Sequence, residues 1–140
     1  MGEAVFESKY VKIFFNKETR IYTSIYLSET ENMSDKEWQA LMLELVKIVE
    51  KYRPRFILDD NRERRYDYPP DIQAWTLELF VNSWNKIGLE KYVQILPNHI
   101  IGRITAEQIQ ELNNTEFSAQ FKNKMVVDYK SAESWINESI

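Results

Sequence analysis

The residue types most able to do chemistry are concentrated in one stretch, LDDNRERRYDYPPD, at residues 58–71. Two adjacent carboxylates, Asp59 and Asp60, could bind a divalent metal or share acid and base roles. Three arginines follow within five residues of Asp60, and their forked donors match a phosphate or a carboxylate. The chain's single histidine, His99, is of the residue type that most often acts as a general acid or base. Three hypotheses follow: a reaction centre, an anion site and a docking surface for another protein.

The reaction centre has the least support in the sequence. Successive strand residues point to opposite faces, so the carboxylates of Asp59 and Asp60 should diverge. Residues of this type commonly close a strand in an Asx-turn. One imidazole does not make a His-rich metal site, and no Ser-His-Asp spacing is present. A metal-assisted hydrolase using Asp59, Asp60 and His99 is therefore the last of the hypotheses, and we expect no catalytic residue, metal or cofactor.

The anion site is weakened by acids and by the lack of glycine. Glu63 and Asp67 lie in the same loop as the arginines, and Asp71 follows in the first turn of a predicted helix. That carboxylate already complements the helix dipole and would repel a phosphate. No glycine lets the backbone approach an anion closely. We therefore favour a solvated, partner-facing surface, with a small-ligand domain that binds a nucleotide or other anion in the same crevice as the alternative.

The elements that carry these residues are predicted by hydrophobic periodicity. Alternating β-branched and aromatic residues indicate strands, the first two forming an antiparallel hairpin around NKET. The predicted strands are YVKIFF (10–15), RIYTSIYL (20–27), RFILD (55–59), KYVQIL (91–96) and KMVVDY (124–129). Capping signals and apolar spacing indicate helices. The predicted helices begin at Ser34, Pro69, Thr105 and Ser131 and end near Arg53, Gly88, Leu112 and the last residue. All four tryptophans lie on the apolar stripes of helices, which is typical of core residues.

The order β-β-α-β-α-β-α-β-α predicts the fold class. Strands that alternate with helices form a mainly parallel sheet, here with an antiparallel hairpin at its N-terminal side. No linker or repeat divides residues 1–140, so we expect a single α/β domain.

Ligands of such sheets bind at the carboxyl ends of the parallel strands. Three loops should leave that edge, at residues 59–68, 97–103 and 129–131. We expect the docking surface to include residues from the first two loops. Its members are Asp60, Asn61, Arg62, Arg64, Arg65, His99 and Arg103. The arginines should supply most of the recognition energy, so changing Arg64 and Arg65 to Ala should abolish partner capture without changing thermal stability.

Composition limits the partners and the location. With 18 basic and 22 acidic residues the net charge is −4, which gives no general attraction to nucleic acid. There is no cysteine, no signal-like N-terminus and no apolar run of the length that crosses a bilayer. We therefore expect a cytoplasmic protein without a membrane span. A homodimer through the aromatic hairpin is left open.

The element order and three short stretches resemble a known group of proteins. DDNR, LPNHIIG and DYKSAESWI, at residues 59–62, 96–102 and 128–136, are similar to segments of the SpoIIAA-like, or STAS/Sec14-like, bacterial STAS-domain proteins. This resemblance implies a STAS-like fold and a regulatory module. In the anti-sigma-factor antagonists of the wider group, a partner kinase phosphorylates a serine where this chain has Asp60. No Ser or Thr lies between Leu58 and Ile72, so Asp60 could at most imitate a permanently charged state.

Overall fold

The structure, a computed structural model, describes residues 1–115 and 118–138. Within these residues the chain forms strands and α-helices in the order β1, β2, β3, α1, β4, α2, β5, α3, β6, α4. The strands are β1 (Glu3–Glu7), β2 (Val11–Asn16), β3 (Ile21–Tyr26), β4 (Phe56–Asp60), β5 (Lys91–Ile95) and β6 (Lys122–Val126). The helices are α1 (Asp35–Tyr52), α2 (Pro70–Lys86), α3 (Ile100–Thr115) and α4 (Tyr129–Ile136), with a short 3-10 helix at Ser28–Asn32.

The strands form one mixed sheet in sequence order. β1, β2 and β3 pair antiparallel, whereas β3 to β6 pair parallel. The predicted single α/β domain with an N-terminal antiparallel hairpin and a parallel remainder is therefore confirmed. Its parallel strands direct their carboxyl ends to one edge, which places the loops after β4 and β5 side by side.

Alternate residues of β4 belong to two different cores. Ile57 packs in the larger core with residues of α1 and α2, and its neighbour Leu58 packs in a smaller core with α4. This is the period-two alternation of a strand that is covered on both faces. The same alternation separates the two aspartates that follow.

Local signals explain where α1 and α2 begin and end. Ser34 Oγ accepts from Glu37 N at 3.1 Å and Glu37 Oε1 accepts from Ser34 N at 2.9 Å, which is the predicted capping box. Gly88 has φ +71° after α2, where a left-handed residue ends a helix without a Cβ penalty.

The structure differs most from the sequence predictions at β1, α3 and β6. Strand β1 was not predicted, because EAVFE is short, carries two glutamates and lies at the sheet edge. Helix α3 begins at Ile100 rather than Thr105, whose hydroxyl donates to the Ile101 carbonyl within the helix at 3.0 Å. The last strand begins at Lys122 and ends at Val126 rather than spanning 124–129.

The cap of α4 also differs. Asp128 accepts from Ser131 N at 2.7 Å and is the N-cap, so the predicted cap at Ser131 is wrong. This helix ends at Ile136, and the predicted helical residues 139 and 140 lie outside the described part. Among the described residues, no helix has the length and apolar character that a membrane span requires.

Candidate functional site

The two adjacent aspartates at the end of β4 face opposite sides of the sheet. Asp59 follows Ile57 toward α1 and α2, where it meets Ser24 and Tyr92. Asp60 follows Leu58 toward the α4 side and pairs with Arg62. The predicted divergence of the carboxylates is confirmed, so the two cannot hold one metal ion together. No cluster of three or more potential metal-binding side chains occurs among residues 1–115 and 118–138.

Asp60 closes the strand and fixes the start of the loop. Its carboxylate accepts from Arg62 Nε at 3.0 Å and from Arg62 Nη2 at 2.8 Å. It also accepts from the Arg62 backbone N–H at 3.1 Å, as an Asx-turn does. Because Asp60 is buried and its charge is matched by Arg62, it does not present a phosphate-like charge at the surface. The structure thus contradicts both its place in the docking surface and its proposed mimicry of a charged state.

Asp59 is a buried acid held by two hydroxyl groups. The Ser24 hydroxyl donates to Oδ1, and the Tyr92 hydroxyl donates to Oδ2 at 2.8 Å. Burial raises the pKa of Asp59, whereas the two hydrogen bonds and the positive charge of Arg64 lower it. Burial is the largest of these effects, and the resulting pKa is about 6. The pKa of Tyr92 is raised well above its usual value by burial and by Asp59, so its hydroxyl stays protonated and can donate. Asp59 can therefore take up a proton near neutral pH inside the protein.

The prediction of a solvated arginine cluster is wrong for Arg64. This residue is only 2% exposed. One guanidinium nitrogen donates to the Tyr66 carbonyl at 2.7 Å, and the guanidinium carbon lies 4.7 Å from the centre of the Tyr68 ring. Within the described residues Arg64 forms no ion pair, and its Nε has no hydrogen-bond partner. Its removal should therefore lower stability, contrary to the expectation stated above.

Asn61 is also buried and therefore not part of an exposed surface. Its backbone N–H donates to the Ile95 carbonyl at 3.0 Å, and its side-chain amide donates to Gln94 Oε1 at 3.3 Å. These bonds attach the loop to the end of β5. Asn61 and Arg64 lie on the inner side of the loop after β4, and Asp60 is buried on the α4 side, whereas the sequence prediction placed all three in solvent.

The loop and the turn carrying His99 do lie at the same edge. His99 Nε2 is 3.2 Å from Asp67 Oδ1, and Nδ1 is 3.5 Å from an Arg65 nitrogen. The Asn98 backbone N–H donates to the Arg62 carbonyl at 3.1 Å. The sequence prediction that the two segments share one rim is thus confirmed. The side chain of His99 is partly exposed at this rim.

The remaining predicted residues are accessible at the rim. Arg62 and Arg65 have side chains that are 40% and 32% exposed. Arg103 is exposed and anchored by its Nε, which donates to the Pro97 carbonyl at 3.0 Å. Arg65 is fixed through its backbone N–H, which donates to Thr30 Oγ1 at 2.8 Å. These side chains are therefore positioned for contact with another molecule.

Sequence reasoning missed three exposed isoleucines beside these residues. Ile100, Ile101 and Ile104 are 74%, 60% and 49% exposed, and all lie in the first turns of α3. Their spacings of three and four residues make them neighbours on the helix surface. A sequence prediction that started α3 at Ile100 would have placed these three isoleucines on the helix and shown that they face solvent. We name the edge surface as Arg62, Arg65, His99, Ile100, Ile101, Arg103 and Ile104.

A cavity on the inner side of the loop was also missed. It lies between the sheet, α2 and α3, with a volume of about 50 Å³. Asp59, Asn61 and Arg64 line it together with aromatic, aliphatic and a few polar side chains. The sequence analysis predicted that the tryptophans, Trp84 among them, are core residues. The space beside Trp84 is visible only from the packing of side chains in the folded protein.

Comparisons with known proteins do not place the chain in a family: no family model, no curated protein and no solved structure matches it.

Proposed function

We propose that the chain is a non-catalytic cytoplasmic binding module that docks a protein partner through the edge surface. The observation that carries this proposal is the clustering of exposed apolar side chains. Among the described residues six large apolar side chains are exposed, and three of them, Ile100, Ile101 and Ile104, are adjacent on one helix. Exposed apolar groups rimmed by polar residues are typical of protein interaction sites.

The rim of the edge surface supports recognition of an acidic partner. Arg62, Arg65 and Arg103 place positive charge around the isoleucines, and the terminal nitrogens of Arg103, whose Nε donates to the Pro97 carbonyl, can bind a carboxylate in a forked geometry. Arginine is also among the residues that most often contribute strongly to binding at interfaces. A partner segment with an apolar stripe flanked by acidic side chains would match this combination of isoleucines and arginines.

The resemblance to the SpoIIAA-like group supports the same class of function. STAS-domain proteins of the anti-sigma-factor antagonist type act by contacting other proteins, and membership of the STAS group is part of this proposal. The serine-based switch is not part of it, since Asp60 is buried and paired with Arg62. Regulation would then act through the edge surface itself.

The hypotheses that compete with a protein partner have less support. A surface anion site would need free donors, but Arg62 is engaged by Asp60 and Arg65 has Glu63 at 3.7 Å. A hydrolase using both aspartates and His99 fails on geometry, since the two carboxylates lie on opposite faces of β4. Neither observation affects the three exposed isoleucines, which carry the proposal of a protein partner.

The test is affinity capture from the cytoplasm of the source cells with matched variants. Ile100→Glu/Ile104→Glu adds two charges to the apolar centre and should remove the specific partner. Leu43→Glu is the control, because Leu43 is also exposed, at 48%, but lies on α1. A partner that Leu43→Glu retains and Ile100→Glu/Ile104→Glu loses supports the proposal. Identical captured proteins for the two variants would contradict it.

A second copy of the chain is the competing partner. Light scattering of the wild type and of Ile100→Glu/Ile104→Glu distinguishes the two cases. A wild-type dimer that the variant converts to a monomer would assign the edge surface to self-association instead of a different protein.

A further inference from the structure

The cavity on the inner side of the loop has the composition of a small binding site. Six aromatic side chains form much of its wall: Tyr26, Tyr68, Phe80, Trp84, Tyr92 and Phe121. The polar groups converge from three elements, with Asp59 on β4, Arg64 on the loop and Gln94 on β5. Binding pockets typically combine apolar walls with a few placed polar groups in this way. The cavity is separate from the edge surface, whose residues do not line it.

Two buried donors on the wall lack acceptors. Arg64 Nε and Trp84 Nε1 have no hydrogen-bond partner within the described residues, and both residues are almost fully buried. A buried donor without a partner costs free energy, and such groups are rare in folded proteins. Both are donors, so a molecule that completes the site must supply acceptor atoms. Oxygen atoms of a carboxylate meet this requirement and match a guanidinium.

The charges in the cavity also favour an acid. Arg64 carries a charge that no ion pair balances within the described part of the chain, and Asp59 is the one acid among the described residues that line the cavity. Both Asp59 oxygens already accept hydroxyl groups, from Ser24 and Tyr92. Burial raises the pKa of Asp59 to about 6, so an arriving carboxylate can be accommodated by protonation of Asp59. The guanidinium then has no competing negative charge beside it.

The volume limits the size of the ligand. A water molecule needs roughly 10–15 Å³ of cavity volume. The cavity of about 50 Å³ therefore has room for roughly three to five molecules of water, or a ligand with that number of non-hydrogen atoms. Acetate and propionate have this size. A fatty acid or a nucleotide does not fit without rearrangement of α2 or α3.

We propose that this cavity binds a small monocarboxylate of two or three carbons, with its carboxylate on Arg64 and its carbon atoms against the aromatic wall. The indole N–H of Trp84 is a second donor for the bound oxygens. This site goes beyond the docking function and does not depend on it. Binding of the acid would join the loop after β4 to α2 through one ligand.

Nuclear magnetic resonance of the indole N–H groups tests the proposal directly. Sodium propionate is titrated to about 20 mM at constant ionic strength, because ligands of so few atoms reach only modest affinity. We expect a saturable shift of the Trp84 indole resonance, assigned by its loss in Trp84→Phe. The Trp38 indole, which donates to Thr76 Oγ1 at 3.2 Å, should move much less. Propionamide and octanoate, which lack the charge or exceed the volume, should give no saturable shift.

Arginine variants show which group holds the acid. Arg64→Gln should abolish the saturable shift, whereas Arg62→Gln, at an exposed site outside the cavity, should retain it. If Arg64→Gln does not fold, Ala106→Val narrows the cavity without changing charge, and Ala132→Val in the other core is its control. The proposed site is supported if the saturable shift of the Trp84 indole resonance is lost in Ala106→Val and retained in Ala132→Val.

Three results would overturn the proposal. The first is that neither acetate nor propionate shifts the Trp84 indole resonance in a saturable way, which would mean that the cavity holds only water. The second is an equal response in Arg64→Gln or Ala106→Val and in the wild type. The third is an equal response to octanoate or propionamide, which would show that neither size nor charge is selected.

Discussion

The inner and outer sides of the loop after β4 contain the same residue types in opposite surroundings. Asp59 and Arg64 lie inside, where Asp59 meets hydroxyl groups and Arg64 meets an aromatic ring. Asp60 and Arg62 form an ion pair toward the other side, and Arg65 reaches His99 at the rim. Adjacent residues of like chemistry therefore differ in their contacts, and Arg64 and Arg65 also differ in exposure. The environment, set by strand alternation and by the loop path, decides which role each one has.

The largest difference between the two sides should be the pH dependence of stability that Asp59 contributes. Its pKa is raised from 3.8 to about 6 on folding, so the folded state binds the proton more tightly. This contribution is complete only well below the unfolded pKa of 3.8 and is lost as the pH rises through the folded pKa of about 6, a change of about 3 kcal/mol. The wild-type free energy of unfolding minus that of Asp59→Asn should fall by this amount between about pH 3 and pH 8, measured with urea. A difference that is constant or rises with pH would contradict the buried environment of Asp59.

A smaller effect is expected from the two adjacent arginines. Arg64→Ala removes the bond to the Tyr66 carbonyl and the contact with the Tyr68 ring, so it should destabilise the fold by about 2 kcal/mol. Arg65→Ala should cost less than about 1 kcal/mol, because its side chain is partly solvated. Urea unfolding of both variants gives the comparison. Equal losses would erase the distinction between the inner and outer sides.

The ion pair on the α4 side should contribute about 1 kcal/mol. Asp60→Asn and Arg62→Gln each break the forked contact, at a cost of about 1 to 2 kcal/mol. Since both changes remove the same interaction, the double variant should be little worse than either single one. Thermal or urea unfolding of the three proteins measures this coupling. Fully additive losses would mean that the two side chains act independently.

The smallest effect on stability is expected where the effect on binding is greatest. Ile100→Glu/Ile104→Glu changes exposed side chains, so the free energy of unfolding should stay within about 0.5 kcal/mol of the wild type. The same variant is expected to lose the partner. Unfolding at a much lower urea concentration would show instead that these isoleucines are part of the core.

The sequence predicted which backbone segments meet at the site better than it predicted which side chains there are buried or exposed. The end of β4, the divergence of Asp59 and Asp60, and the shared rim with His99 follow from alternation and from parallel strand direction, which are local or topological rules. The start of α3 was placed at Thr105 because a capping pattern can also occur inside a helix. That error hid the exposed isoleucines.

The burial of Arg64 could not be derived from sequence pattern. An arginine in a polar loop is normally solvated, and the contacts that bury Arg64 come from Tyr66 and Tyr68 after the chain has turned. The cavity follows from the same arrangement, because its walls come from β3, β4, β5, α2 and α3 at once. Such space depends on how side chains pack, which hydrophobic periodicity does not describe.

The most direct test of the two-sided loop is the rate at which phenylglyoxal modifies each arginine under native conditions, followed by mass spectrometry. With Arg64 buried and Arg65 partly exposed, Arg65 should react at least about tenfold faster than Arg64, and the two rates should converge when urea unfolds the chain. Equal native rates for Arg64 and Arg65 would contradict the separation of a buried inner side of the loop from a solvent-exposed outer side.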